Sequence, residues 1–251
     1  EDVLAFVKAA MQGKGSSSAL SGGAGIPPIP EVDFSAFGEV ELTQRSKLDK
    51  LTAKNMQRSW LNVPHVTQFD DADISELEAF RAGLKGEAEK RGTKITPMPF
   101  LLKACAVALR DNPKFAVSLA DGGESLVYKK YIHIGVAVDT PNGLLVPVVR
   151  DVDKKSVMEI ALDLNDKAEK ARQGTLGLAD MQGGCISVSS LGGIGGSAFT
   201  PIVNAPEVAI LGLSRAQIRP LWQANEKSSA EEGEFIPALM LPLSLSYDHR
   251  V

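Results

Sequence analysis

Cysteine is scarce in this 251-residue chain: Cys105 and Cys185 stand alone, far apart and without CxxC spacing. That usage excludes a disulfide scaffold and a cysteine zinc site, and it points to a reducing compartment. Positive charge is not in excess either. The 27 Lys and Arg stand against 31 Asp and Glu, a net charge of −4, whereas a nucleic-acid footprint is basic. No apolar run approaches the ~18 residues of a bilayer span, and Glu1-Asp2-Val3 does not open a signal peptide. A soluble intracellular protein that binds neither nucleic acid nor membrane is expected. With 44% hydrophobic and 23% charged residues, the chain has enough apolar material for one large domain or two small ones.

Glu1 to Met11 (EDVLAFVKAAM) carries Val3, Leu4, Phe6 and Val7 at helical spacing. It is too short to fold alone, so it reads as the end of a preceding domain. Residues 12–30 (QGKGSSSALSGGAGIPPIP) are Gly/Ser-rich and end in three prolines, the composition of a tether. Residues 31–251 form the main domain. Ser46–Trp60 and Ile74–Arg91 read as amphipathic helices, the second with Ser75 as cap and Glu78 three residues later. Thr96-Pro97 opens a third helix that ends before Pro113, and Ser156–Arg172 is a fourth. Tyr131–Val138 and Leu144–Val149 form a hairpin about Asn142-Gly143. Cys185–Ser190, Val208–Leu213, Ile218–Trp222 and Ala238–Val251 read as strands, and Glu226–Glu234 as an acidic loop. Without regular βαβ alternation, the fold class is α+β, a mixed β-sheet with flanking helices.

In the last strand a period of two puts Leu241, Leu243, Leu245, Tyr247 and His249 on one face, with Asp248 and Arg250 on the other. A histidine continuing an apolar stripe is expected to be desolvated and neutral, the form a general base needs. On spacing alone, a satisfied core histidine is the commoner outcome. Cys185, Ser187 and Ser189 share a face of another strand; a hydroxyl there can donate to an oxyanion, and equally to a neighbouring carbonyl. The following LGGIGG lacks a phosphate-loop pattern and reads as a close-packing turn. Cys105, in mid-helix, reads as a small core residue, and nothing in the spacing pairs Cys185 with His249 as nucleophile and base. His65, His133 and His249 are scattered and make a weak case for a metal. Lys129-Lys130 and Lys154-Lys155 read as solvated turns.

Four long strings carry a further signal: HVTQFDDADISELEAF, IHIGVAVDTPNGLLVPVVRDV, SSLGGIGG with PIVNAPEVAILGLS, and LPLSLSYDHRV. They closely resemble the catalytic core of dihydrolipoamide acyltransferases, the core components of 2-oxo acid dehydrogenase complexes, over roughly Ile26 to Val251. EDVLAFVKA resembles the end of that family's peripheral subunit-binding domain. The Asn204–Gly212 run looks most like the acetyl-transferring members of bacterial pyruvate dehydrogenase complexes. The resemblance implies a chloramphenicol-acetyltransferase-like fold, trimers with active sites between subunits, and a larger cubic core. It implies coenzyme A as substrate and a lipoyl group carried on a separate domain, with no metal. Pyruvate dehydrogenase and dihydrolipoamide dehydrogenase would be partners, in the bacterial cytoplasm.

Within that resemblance, His249 matches the histidine of the DHR motif, which would take the thiol proton of dihydrolipoamide or coenzyme A. Ser189, first of the serine pair, matches the hydrogen-bond donor to the tetrahedral oxyanion. Asp248 and Arg250 would hold the strand end. The family motif continues to an Asp-Gly or Asn-Gly and a closing helix, whereas this chain stops at Val251. That difference keeps a scaffold with reduced or no catalysis as an alternative to acetyl transfer, and another acyl specificity (succinyl or branched-chain) is a second, since a few pocket side chains set acyl size.

Overall fold

Two serines start the long helices by the same device. In this computed structural model, which describes residues 27–141, 143–224 and 232–251, Ser46 precedes α1 (Lys47–Asn62) and accepts from the Asp49 amide, while the Asp49 carboxylate accepts from the Ser46 amide. Ser156 and Glu159 repeat the exchange one residue before the 17-residue helix Val157–Gln173. Each box satisfies two otherwise orphaned amides and is worth about 1 kcal/mol. The second helix ends at Gly174, whose φ of +70° closes the C-terminus without the cost a side chain would add there.

The chain divides into two compact units at Gln44 and Arg45. In the first, the described residues 27–44 are without regular structure apart from a 3-10 turn at Phe34–Ala36, capped by Asp33. The expected domain remnant at 1–11 and most of the expected tether at 12–30 lie outside the described residues.

The second unit carries the sheet. Its elements follow α1 as β1 (His65–Asp73), α2 (Ser75–Gly83), α3 (Lys85–Lys90), α4 (Met98–Asp111), β2 (Val117–Ala120), β3 (Ser125–Tyr128) and β4 (Ile134–Val136). Then come β5 (Val138–Thr140), β6 (Gly143–Leu145), β7 (Val148–Val149), α5 (Val157–Gln173), β8 (Ile186–Ser190), β9 (Ala209–Leu213), β10 (Gln217–Ala224) and β11 (Gly233–Asp248). The main sheet runs β1-β11-β9-β8-β4-β7, with β10 also pairing β11. β8 lies parallel to both β4 and β9, and the other pairs are antiparallel. This is the mixed sheet with flanking helices that the pattern implied.

One face of the sheet is the core. Leu102, Ala106 and Leu109 of α4 and Ile160 and Leu164 of α5 pack with Ile134, Val136, Ile186, Val188 and Leu213. The opposite face carries small and polar side chains in register: Gly135 beside Ser187, and Ser189 opposite Gly212, itself opposite Ser244. Phe199 covers that row, and a Cβ on Gly212 would meet its ring at 2.6 Å. Val63, Val203 and Ile210 form a smaller cluster on the same side.

Several expectations change. Ile74–Arg91 is two helices, because Gly83 and Gly86 weaken continuity through the middle. Ser75 is not the cap but the first helical residue; its amide and hydroxyl both donate to Asp73. The hairpin about residue 143 is present as β5–β6, with Gly143 at φ +117°; Asn142 is outside the described residues, as is most of the acidic loop. In LGGIGG the glycines serve backbone conformation, not close packing: Gly195 and Gly196 have φ of +112° and +93° with open space around them.

Candidate active site

β11 ends at Asp248, and the chain turns immediately. Asp248 is buried; Oδ1 accepts from the Arg250 amide (3.1 Å) and Nε (2.9 Å), and Oδ2 from the second guanidinium nitrogen (2.7 Å). The backbone is fixed from outside as well, since the Asp248 amide donates to Val208 and the His249 amide to Pro64. His249 therefore sits on an anchored turn, its ring stacked on Tyr247 at 6.1 Å, with Phe115 edge-on to Tyr247.

The expected desolvation of His249 is not met. Its ring follows Tyr247, but the residue is exposed in the single chain, and the fully buried face of β11 is the other one, Ser244, Ser246 and Asp248. Alternation separated the two faces correctly: Leu241, Leu243, Leu245 and Tyr247 join the main core, and the stripe leaves it only at His249, beyond the end of β11.

The other two histidines are occupied. His65 donates from Nδ1 to the Val63 carbonyl (2.7 Å) and accepts the Val203 amide at Nε2 (3.0 Å), which fixes a neutral tautomer in a structural role. His133 is buried and accepts the Asp151 amide at Nδ1. Among the described residues, only the His249 ring makes no hydrogen bond.

Ser189 lies on β8, half-buried, and its hydroxyl likewise has no hydrogen-bond partner among the described residues. The register sets its separation from His249. Ser189, Gly212 and Ser244 share one row across the sheet. His249 lies five residues further along β11, roughly 16 Å, and two strands over, roughly 10 Å. One chain does not bring these two side chains together.

With that geometry in view, comparison with known proteins is decisive. Residues 38–251 match the family model for the 2-oxoacid dehydrogenases acyltransferase catalytic domain. The chain belongs to this family. Over its whole length it is 58% identical to the dihydrolipoyllysine-residue acetyltransferase component of the Pseudomonas aeruginosa pyruvate dehydrogenase complex, and it spans 45% of that relative. A structure from crystallographic and enzymatic work on a serine, a histidine and an asparagine in the catalytic mechanism of the Azotobacter vinelandii dihydrolipoamide acetyltransferase superimposes with a TM-score of 0.85. It is 58% identical, with 90% of each chain covered. A structure of the cubic core of the pyruvate dehydrogenase multienzyme complex matches equally, at TM-score 0.85, 58% identity and 90% of each chain.

Around Ser189 the acyltransferase domain gathers Ser187 and Lys129, which the sequence left unconnected, about Glu207, which it did not single out. Ser187, two residues earlier on the same face, donates from Oγ to Glu207 Oε2 at 2.6 Å. Glu207 is buried, and burial pushes its carboxyl up to about 7 against the opposing effects of the Ser187 hydrogen bond and the Lys129 charge. Lys129, expected in a solvated turn, instead turns inward: its ammonium donates to the carbonyls of Val117 (3.3 Å) and Gly184 (3.2 Å), and burial lowers its pKa. The one sequence signal for this cluster was a charged residue inside the apolar run Ala205–Leu211. Cys185 is fully buried, donates to the Tyr131 carbonyl, and has its thiol pushed up by burial, which suits a packing role and not a nucleophile. Cys105 is raised to about 11 by the same cause.

Beside Ser190 lies a cavity of about 340 Å³ whose wall includes Thr96, Met98, Ser190, Gly192, Ser214 and Leu241. The start of α4 there has no side-chain cap, and the buried Ser214 hydroxyl has no hydrogen-bond partner. The Ser214 hydroxyl is free to bond a ligand, whereas Pro99 has no amide hydrogen and the Phe100 and Leu101 amides already donate to the Pro97 carbonyl. Among the described residues no cluster of three or more His, Cys, Asp or Glu is placed to hold a metal, and no helix is long and apolar enough to cross a membrane.

Proposed function

We propose that this chain transfers an acetyl group between the dihydrolipoamide arm and coenzyme A, as the core of a bacterial, cytoplasmic pyruvate dehydrogenase complex, with catalytic sites completed between two copies in a trimer. The observation that carries the reading is that Ser189 and His249, whose side chains make no hydrogen bond among the described residues, are held apart by the register within one chain. A heterologous contact, in which the Ser189 region of one copy meets the His249 turn of the next, closes on itself as a ring.

In this mechanism the neutral His249 imidazole takes the proton of the incoming thiol, and the thiolate attacks the thioester carbonyl. The carbonyl oxygen becomes an oxyanion that accepts the Ser189 hydroxyl hydrogen, worth about 3 kcal/mol if the donor is preorganised. Collapse breaks the original C–S bond, and the departing thiolate recovers the proton from the imidazolium. Acetyl passes directly between two bound thiols, with no acyl-enzyme and no metal. The cavity beside Ser190 offers room and the unbonded Ser214 hydroxyl for the arm of coenzyme A. Larger cores assembled from trimers would present the sites to lipoyl domains, served by pyruvate dehydrogenase and dihydrolipoamide dehydrogenase.

Acetyl is favoured over succinyl or branched-chain groups because the 58%-identical Pseudomonas relative is named for acetyl transfer. The test is thioester formation from acetyl-CoA and dihydrolipoamide by the assembled chain. Turnover that vanishes in His249→Ala with assembly retained supports the reading; loss of assembly in that variant makes the histidine structural and overturns the base assignment.

A further inference from the structure

Ser189 owes its placement to β8, and β8 is tied at its start by a buried carboxyl that the proposed chemistry does not use. Glu207 lies two residues ahead of β9, its amide donating to the Asn204 carbonyl at 3.1 Å. Its side chain crosses to β8, where Oε2 accepts the Ser187 hydroxyl at 2.6 Å. Ser187 and Ser189 pair in turn with Ile210 and Gly212 of β9. The carboxyl thus bridges the starts of the two parallel strands whose register presents Ser189.

The fit around it is close. A Cβ on Gly184 would collide with Glu207 Oε1, and the Gly184 carbonyl is held by Lys129. A buried carboxyl kept in such a cluster is costly unless it is hydrogen-bonded and charge-compensated; here Ser187 of β8 supplies the hydrogen bond and Lys129, from the β3–β4 connection, a nearby positive charge.

We infer that Glu207 is a positioning residue for Ser189: through Ser187 it sets the β8–β9 register on which the oxyanion donor stands, and its ionisation state resets that link. This rests on the reading of Ser189 as the oxyanion donor. Ionised, Glu207 can only accept, so Ser187 must donate. Protonated, it carries one hydrogen of its own, and Ser187 is free to accept instead. The titratable group whose charge acts on the carboxyl is Lys129, from the β3–β4 connection; Glu207 in turn raises the thiol of Cys185, the residue before β8.

The experiment compares wild type with Glu207→Gln, Ser187→Ala and Ser187→Thr in the assembled protein. It measures kcat and KM for acetyl transfer to dihydrolipoamide across pH, and hydrogen exchange of the β8 amides. In Glu207→Gln and Ser187→Ala, kcat falls about tenfold while KM for acetyl-CoA stays within about twofold. Ser187→Thr restores the rate. Once the intrinsic pH dependence of amide exchange is divided out, the protection of the β8 amides changes through neutral pH in wild type and stays constant in Glu207→Gln. Unchanged kcat and pH profile in both variants, in a wild type that turns over, overturn the inference and leave the proposed function standing. A wild type that does not turn over removes the function and this inference with it.

Discussion

Asp248 holds Arg250 through both carboxylate oxygens, at 2.9 Å and 2.7 Å, and the residue between them is His249. The pair is lopsided: the Asp248 side chain is 2% exposed and the Arg250 side chain 46%. Removing the guanidinium leaves a buried carboxylate with the Arg250 amide as its one remaining donor in this turn. Arg250→Ala is therefore expected to destabilise the fold by about 1–3 kcal/mol. It should also lower kcat more than it raises KM, because the anchored turn loses its outer wall. Denaturant midpoints and steady-state kinetics read the two effects separately, and a variant with wild-type values of both would show that Pro64 and Val208 suffice to hold the turn.

Ser189→Ala and His249→Ala should each be nearly inactive, the first by about a hundredfold or more in kcat. Mixed together through dissociation and reassembly, they should regain activity. With sites formed head to tail between copies, about one quarter of the interfaces in a random mixture join an intact Ser189 to an intact His249. Activity of the mixture at the level of the separate variants would place both residues of each site in one chain, against the offset of roughly 16 Å along the strand and roughly 10 Å across the sheet that the register imposes.

Much of the architecture was written in periodicity and punctuation. Ser46, Ser156, Pro97 and Gly143 marked boundaries because each acts on its own local backbone, and the structure honours all four. What was illegible depends on distant segments. Nothing near His249 states that its ring is exposed in a single chain, because the apolar alternation runs up to it and the strand ends one residue earlier. Glu207 and Ser187 are twenty residues apart, and Lys129 is further still. A lysine beside another lysine reads as solvated until the fold brings two carbonyls to its ammonium.

The buried carboxyl of Glu207 makes stability fall as pH rises. Its pKa is about 7 in the fold against an ordinary 4.5, so between those values the unfolded chain binds fewer protons than the folded one. The folded state is favoured on the acid side of the window and loses about 3 kcal/mol by the time pH exceeds 7. Glu207→Gln cannot ionise and should remove this loss. Urea midpoints of wild type and variant, followed from pH 4.5 upward, should diverge in slope, with wild type falling relative to the variant. Parallel curves would mean that Lys129 and Ser187 compensate the charge fully.

Gly212 supplies a last test of how closely the serine row is packed. It pairs with Ser189 on one side and Ser244 on the other, and an added Cβ would stand 2.6 Å from Phe199 Cζ and 2.9 Å from Cε1. The ring is covalently anchored beside an amide that bonds Ser244, so it has little freedom to withdraw. Overpacking of this kind costs about 1–3 kcal/mol. Gly212→Ala is expected to lower the denaturation midpoint accordingly. Because the displaced ring presses on the row that carries Ser189, kcat should fall by more than the unfolded fraction accounts for. A companion change of Phe199→Leu, which frees space above Gly212, should recover part of the stability. If Gly212→Ala alone is neutral, Phe199 is not held over the row, and the small residues of β8, β9 and β11 need another explanation.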